Sequence, residues 1–123
     1  LKLGIAGKVR VSLDAALALE PKHAEAHTAL ALYHAEIINK IGAMIGGLTY
    51  GAKASEAEKH IKEAVKLTPA SPIAHIEHGN VLLLLDEDRN EDAAASAYEK
   101  AAKCKPLDAM EALDAAWARE QIE

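Results

Sequence analysis

The stretch EAVKLTP at residues 63–69 decides the fold, because it ends an amphipathic segment at a proline and recurs along the chain. Related stretches are AALALEP at residues 15–21 and KAAKCKP at residues 100–106. Proline has no backbone N–H and cannot continue a helix, so each stretch marks a helix end. A second Ala-rich segment begins soon after each proline, and the pattern therefore predicts recurring helix pairs with proline between their members.

Hydropathy patterning predicts helices throughout the chain. Apolar residues recur at intervals of three and four, as in Ala57, Ile61, Ala64 and Val65, and no segment shows the sustained alternation of a strand. The predicted fold class is therefore all-α. The predicted helices cover residues 5–19, 23–40 or beyond, 55–67, 72–85, 90–104 and 108–122.

Capping residues support several of these boundaries independently. Ser55 with Glu58 and Asp108 with Glu111 have the spacing of a capping box. Ser71 comes directly before a proline at the first position of a predicted helix. The polar run at residues 86–90 is expected to be an ordinary loop.

Composition limits both the size of the domain and its partners. The chain of 123 residues suffices for one small domain, and with 3% aromatic residues its core must consist of Ala, Leu, Ile and Val. A net charge of −5, with 14 basic residues scattered among 19 acidic ones, argues against a nucleic-acid surface. No apolar run approaches the roughly 20 residues of a membrane span, so we expect no transmembrane helix.

The helix pairs resemble the tetratricopeptide repeat family, whose unit is a helix–turn–helix of about 34 residues. The resemblance covers nearly the whole chain and rests on the small, bulky and proline positions of the second helix, here Ala57, Ile61, Ala64 and Pro69, then Ala94, Tyr98, Ala101 and Pro106. The matching first-helix positions hold His27, Leu30, Ala31 and His34, then His75, His78, Gly79 and Leu82. The resemblance implies a right-handed solenoid of antiparallel helix pairs that acts as a non-catalytic interaction module or scaffold.

The repeat boundaries divide the single domain into four parts. Residues 1–21 are a partial repeat, 22–69 a repeat with an apolar insertion at 41–53, 70–106 a further repeat, and 107–123 a capping helix. Residues 1–4 look like the end of a helix, so we expect the chain to begin inside a longer protein. The lone Cys104 excludes an internal disulfide. The sequence does not determine the cellular compartment. The cytoplasm is the simpler expectation, and a removed signal peptide is also compatible with the sequence.

The insertion at residues 41–53 is apolar and rich in glycine, unlike a solvated loop. Two interpretations stay open. Either the preceding helix continues towards residue 48, with Gly42 and Gly46 allowing another backbone to come close, or the segment is a loop folded back over a groove. In both cases its apolar side chains need a cover, and the expected contact residues are Ile41, Met44, Ile45, Leu48 and Tyr50.

Few residues indicate chemistry. Metal binding is a possibility for four histidines by their spacing: His27, His34, His75 and His78. The family packs aromatic or aliphatic side chains at these positions, so we expect partly buried histidines bonded to backbone or Glu, with a metal or pH-sensing role as the alternative. No nucleophile motif or phosphate loop is present, and Cys104 is expected to be a buried, inert thiol. We therefore expect no catalytic residue, no cofactor and no enzyme activity.

The first helices of successive repeats line a concave surface in this family, where peptides or partner helices bind. The resemblance places eight residues of this chain there: Thr28, Leu32, Ile73, Ile76, Asn80, Leu83, Leu113 and Trp117. Because most of them are apolar, we expect a protein partner that presents an apolar or helical segment. Two alternatives stay open: a homo-oligomer formed by helix exchange through the partial repeat or the insertion, and a small hydrophobic ligand near Tyr50 and Trp117.

Overall fold

The computed structural model describes residues 6–122, and within that range the chain forms seven helices and no strand. The helices are α1 (Ala6–Leu19), α2 (Ala24–Ile41), α3 (Ala43–Tyr50), α4 (Ala54–Leu67), α5 (Pro72–Leu85), α6 (Glu87–Lys103) and α7 (Ala109–Ile122). The prediction of an all-α chain is confirmed. The predicted helix end at residues 1–4 lies outside the described residues. No helix in the described range is long and apolar enough to cross a membrane.

The predicted caps are confirmed at α7 and wrong at α4. Asp108 Oδ1 accepts the backbone N–H of Glu111 at 2.8 Å, while Glu111 Oε1 accepts the N–H of Leu107 at 2.9 Å. At α4 the N-cap residue is Lys53, which makes no side-chain capping bond, and Ser55 lies inside the first turn. Ser71 does occupy the N-cap of α5, but its side chain makes no capping bond either.

The predicted loop at residues 86–90 is wrong, because these residues form the start of α6. Asp86 alone connects α5 and α6, and its Oδ1 accepts the backbone N–H of Arg89 at 3.1 Å. Asn90 Nδ2 donates to the Leu82 carbonyl, in the last turn of α5, at 2.9 Å. The helix dipole stabilises acidic side chains in the first turn of a helix. The acidic residues after Asp86 therefore favour the start of α6 rather than a loop.

Two main core clusters hold the helices together, and alanine dominates both. The first joins α2 and α4 and includes one residue of α5: Ala31, Ala35, Ala57, Ile61, Ala64 and Val81. The second joins α5, α6 and α7: Ile76, Leu82, Ala94, Tyr98, Ala101 and Ala118. Small side chains at the contacts let the helices approach closely, so the core needs few aromatic rings.

The insertion is neither a simple extension of α2 nor a loop. Gly42 has φ of +85° and ψ of 161°, a conformation that other residues rarely adopt, so α2 ends there and the short helix α3 begins. Gly46 is buried, and a Cβ atom on it would lie 3.1 Å from Ile37 Cγ2. The atoms nearest to this position belong to the side chains of Ile37, Ala52 and Ile41, so the expected close approach of another backbone is not seen at Gly46, and Gly42 is the break between the helices.

Candidate partner-binding groove

Helices α2 and α5 pack against each other and leave an open groove between them, the α2–α5 groove. Each helix contributes side chains spaced by three and four residues, which share one helix face. The α2 side carries Glu25, Thr28, Ala29, Leu32, Glu36 and Asn39, and the α5 side carries Ile73, Ala74, Glu77, Asn80, Leu83 and Leu84. The groove has two compartments, of about 520 and 590 Å³, which share Leu32 and Glu77.

Five of the eight predicted partner-binding residues line this groove. Thr28, Leu32 and Ile73 lie in the first compartment, and Leu32, Asn80 and Leu83 lie in the second. Ile73 is 48% exposed, and the two leucines are partly exposed. The groove therefore exposes apolar surface in both compartments.

The other three predicted residues lie elsewhere. Ile76 is only 5% exposed and belongs to the core cluster that contains Tyr98, so its placement on the partner-binding surface is wrong. Leu113 and Trp117 are exposed on α7 and do not line the groove. The Trp117 ring packs edge-on against Tyr98, with ring centroids 5.6 Å apart, because α7 covers the α6 side of the core.

Acidic residues of the groove escaped the sequence analysis. Five carboxylates line the two compartments against one lysine, Lys22: Glu20, Glu25, Glu36, Glu77 and Glu87. The sequence spacing already places two of these carboxylates on the groove-facing side of their helices. Glu36 follows Leu32 by four residues, and Glu77 follows Ile73 by four. The same helix faces thus carry acidic as well as apolar side chains.

A chain of hydrogen bonds connects the core to Glu77. The Tyr98 hydroxyl donates to Asn80 Oδ1 at 2.6 Å, and Asn80 Nδ2 donates to Glu77 Oε1 at 3.2 Å. Burial raises the pKa of Glu77, the Glu36 carboxylate across the groove raises it further, and the bond from Asn80 partly offsets both effects. Glu77 is thus a half-buried carboxylate that is held in place and lies near a second negative charge.

Two histidines make the same contact near the starts of α2 and α5. His27 Nε2 lies 2.7 Å from the Pro21 carbonyl oxygen, and His75 Nε2 lies 2.7 Å from the Pro69 carbonyl oxygen. A carbonyl only accepts, so each Nε2 carries the proton. Each ring therefore bonds to backbone six residues before it and secures the turn that precedes its helix. The predicted packing role, with bonds to neighbouring backbone, is confirmed for these two residues.

Three of the remaining histidines, His34, His60 and His78, lie on the packed helices α2, α4 and α5. His34 Nδ1 accepts the backbone N–H of Lys53 at 3.1 Å, and burial, with Arg10 adding to it, lowers the pKa of His34 to about 4. Burial also lowers the pKa of the partly buried His78. His27 Nδ1 lies 2.9 Å from Nδ1 of His60, a residue that the sequence analysis did not single out. Across residues 6–122 no three His, Cys, Asp or Glu side chains are grouped to hold a metal ion.

Residues of the insertion separate into a packed and an exposed set. Ile41 and Tyr50 pack against the cluster of Tyr33, Ile37 and Ala52. The exposed set lies on α3 and comprises Met44, Ile45 and Leu48. None of residues 41–53 lines the α2–α5 groove, so the interpretation of a loop folded over the groove is wrong. Tyr50 and Trp117, the residues of the small-ligand alternative, line neither compartment of the groove.

Cys104 is partly exposed, so the prediction of a buried thiol is wrong. Helix α6 ends at Lys103, which places Cys104 at the C-cap rather than on a packed face. Its Sγ donates to the Lys100 carbonyl at 3.2 Å. Partial burial raises the pKa of the thiol, and Glu111 raises it further, so the group stays protonated and weakly nucleophilic near neutral pH.

A scan against protein families and searches of curated proteins and solved structures find no match to this chain. What the protein does must therefore be inferred from its own residues and their geometry.

Proposed function

We propose that the chain is a non-catalytic interaction module of the tetratricopeptide type, which holds a segment of a partner protein in the α2–α5 groove. The observation that carries the proposal is the alignment of two side-chain stripes on one open groove, with Leu32, Ile73 and Leu83 accessible. Accessible apolar side chains in a groove with polar edges are typical of surfaces that bind a protein segment.

Correspondence between the two helix pairs supports the repeat interpretation. His27 and His75 bond to prolines six residues earlier at the same distance. Ala57 and Ala64 of α4 and the corresponding Ala94 and Ala101 of α6 are all buried. Each repeat thus uses the same residue types at the turn and at the helix contact, as expected when one supersecondary unit is stacked on the next.

Selection from a random-peptide library on the immobilised protein tests the proposal. We expect enrichment of peptides with apolar residues at helical spacing, and amide chemical-shift changes on binding that map to Thr28, Leu32, Ile73 and Leu83. Leu32→Glu places a charge in the groove and should abolish binding of the selected peptides. Ala95→Glu places the same charge on an exposed site of α6 outside the groove and should leave binding unchanged.

Circular dichroism of both variants shows whether the helices are retained. Peptides that bind Leu32→Glu as well as the unmodified protein would contradict the proposed site. Shift changes confined to α6 and α7 would contradict it as well.

A second candidate is self-association, which the exposed apolar side chains of α3 and near the start of α7 favour. Met44 and Leu48 of α3 are 79% and 84% exposed, and Leu107 and Met110 are 82% and 65% exposed. Such side chains are costly to leave in water. Light scattering over a concentration series tests self-association. An assembly that dissociates when Leu48→Lys or Met110→Lys is introduced would support it, and a monomer at all concentrations would exclude it.

A further inference from the structure

We infer that the partner segment is basic: the α2–α5 groove selects an amphipathic protein segment in which lysine or arginine side chains flank apolar anchors. This inference rests on the proposed function, since it assumes that the groove binds a protein segment. It adds the sign of the partner's charge and the place where that charge binds.

Two carboxylates from different helices line the second compartment. Glu36 comes from α2 and Glu77 from α5, and the charge of the first acts on the second. The four ion pairs observed between residues 6 and 122 involve neither of these two carboxylates. Glu87 adds a third carboxylate at the α6 end of the compartment. Among the described residues, those that line the second compartment include three carboxylates and no lysine, arginine or histidine.

Glu77 is held in place by contacts that reach into the core. Tyr98, which is 7% exposed, donates its hydroxyl to Asn80 and thereby fixes the orientation of the Asn80 amide. The amide N–H of Asn80 then donates to Glu77. A carboxylate that is already restrained loses less side-chain entropy when it binds a cation than a freely rotating one. The arrangement thus favours an incoming ammonium or guanidinium group.

Bringing a cation between Glu36 and Glu77 relieves an unfavourable interaction. Burial and the facing carboxylate both oppose ionisation of Glu77, as its raised pKa records. A lysine or arginine in this compartment favours the ionised form of Glu77 and can form charge-assisted hydrogen bonds with the carboxylates. We therefore expect the groove to gain more from a basic side chain than from a neutral polar one.

Apolar side chains beside these carboxylates fit the rest of a basic residue. Leu32, Leu83 and Leu84 line the same compartment and can pack along the methylene stem of lysine or arginine. The first compartment presents Ile73 and Ala74 to an apolar anchor. A segment that alternates apolar anchors with basic residues therefore satisfies both compartments at once.

Charge also disfavours the other macromolecular occupants. A second copy of this chain carries a net charge of −5, and a nucleic acid presents phosphates, so both meet the carboxylates of the groove with like charge. A basic protein segment meets them with opposite charge, which favours both the encounter and the bound state.

The test uses the whole chain and three labelled peptides of about 12 residues with leucines at i, i+3 and i+7. The polar positions of the peptides are all arginine, all glutamine or all glutamate. At low salt we expect the arginine peptide to bind about tenfold more tightly than the glutamine peptide, and the glutamate peptide more weakly than both. Fluorescence anisotropy measures the three affinities.

Paired variants locate the effect. In Glu36→Gln/Glu77→Gln the arginine and glutamine peptides should bind within about twofold of each other. Glu91→Gln/Asp92→Asn removes the same net charge from the exposed start of α6, outside the groove, and should keep the full arginine preference. A control pair that loses the preference as completely as the groove pair would overturn the inference, because general attraction would then explain the result.

The outcomes separate the inference from the function on which it rests. If the arginine and glutamine peptides bind equally and Leu32→Glu abolishes both, the groove binds segments but does not select charge, and only the inference fails. If no peptide binds, or if Leu32→Glu changes nothing, the inference and the proposed function both fail.

Discussion

Gly79 of α5 is in direct contact with the ring of Tyr98 in α6, so that a Cβ atom on Gly79 would lie 2.5 Å from Tyr98 Cε1. At the corresponding positions of the first helix pair, Ala31 and Ile61 are both fully buried in one cluster. Glycine, the smallest residue, thus lies against the large Tyr98 ring, whereas alanine lies in the same cluster as the smaller Ile61. In each helix pair, a larger side chain on one helix is matched by a smaller residue on the other, as close packing requires.

Substitution of Gly79 by alanine should therefore destabilise the fold. Alanine favours a helix interior over glycine by roughly 1 kcal/mol, but here its methyl group overlaps the Tyr98 ring. Overpacking of this kind typically costs about 1–3 kcal/mol, so we expect a net loss in the free energy of unfolding. Urea denaturation of the Gly79→Ala protein measures it.

Gly47→Ala is the matched control, because Gly47 is also helical and an added Cβ would lie 3.5 Å from the Ala52 carbonyl oxygen, an ordinary contact. We expect its stability to be unchanged or to rise by up to about 1 kcal/mol. Equal effects of the two substitutions would contradict the close contact at Gly79.

Stability should fall in mild acid through His34. Its pKa in the folded chain is about 4, because burial and Arg10 disfavour its charged form, whereas the ordinary value is 6.5. Between these two values the unfolded chain takes up a proton that the folded chain does not, so stability is complete above pH 6.5 and is lost as the pH falls towards 4. Linkage makes the loss about 2 kcal/mol at pH 5.

The asparagine substitution His34→Asn isolates this effect. An asparagine carbonyl can still accept the backbone N–H of Lys53, but it does not titrate. We expect the variant to be less stable at pH 7 but to lose less stability than the unmodified protein between pH 7 and pH 5. Parallel pH profiles of the two proteins would show that His34 does not carry the effect.

The bond between His75 and the Pro69 carbonyl should contribute measurably to stability. His75→Ala removes the donor and leaves a cavity, since the side chain is 6% exposed, and we expect a loss of about 2–3 kcal/mol. His75→Gln retains an N–H that can reach the same carbonyl, so it should cost less than half as much. Thermal unfolding compares the stabilities of the two variants. Equal losses of stability would mean that the hydrogen bond to the Pro69 carbonyl contributes little.

The break between α2 and α3 should require glycine at position 42. Gly42→Ala forces a side chain into the conformation at φ +85°, which costs on the order of 1–3 kcal/mol, although no atom obstructs the added methyl group. Gly7→Ala adds a methyl group that also meets no obstruction, but in a regular helix, and should stabilise the chain by about 0.5–1 kcal/mol. Equal stabilities of the two variants would contradict the assigned backbone conformation.

Helix positions were predictable because their signals are local. Proline at position 72 and the apolar residues that follow it predicted a helix over residues 72–85, and α5 has these bounds. The break at Gly42 was not predictable, since an apolar, glycine-rich run is compatible with a continued helix or a loop. Gly46 packing against Ile37 and Ala52 stabilises α3 against α2, and this contact depends on the tertiary structure.

The exposure of individual residues was harder to predict. Ile73 and Ile76 both belong to α5 and differ little in chemistry, yet the first is 48% exposed and the second 5%. Helix α5 contacts α2, α4, α6 and α7, so it buries residues on several faces and has no single apolar stripe to identify its core side. Only the arrangement of its neighbours decides which isoleucine remains accessible.

The sequence by itself determined that the chain is helical, that prolines follow the ends of α1, α4 and α6, and that its core is rich in small aliphatic residues. These properties follow from propensity, capping and composition within short segments. The tertiary structure alone decided that Glu36 and Glu77, from two different helices, face each other across one groove. Periodicity assigns a residue to a face of its own helix but not to an opposing helix, so the charge of the groove emerges only when α2 packs against α5.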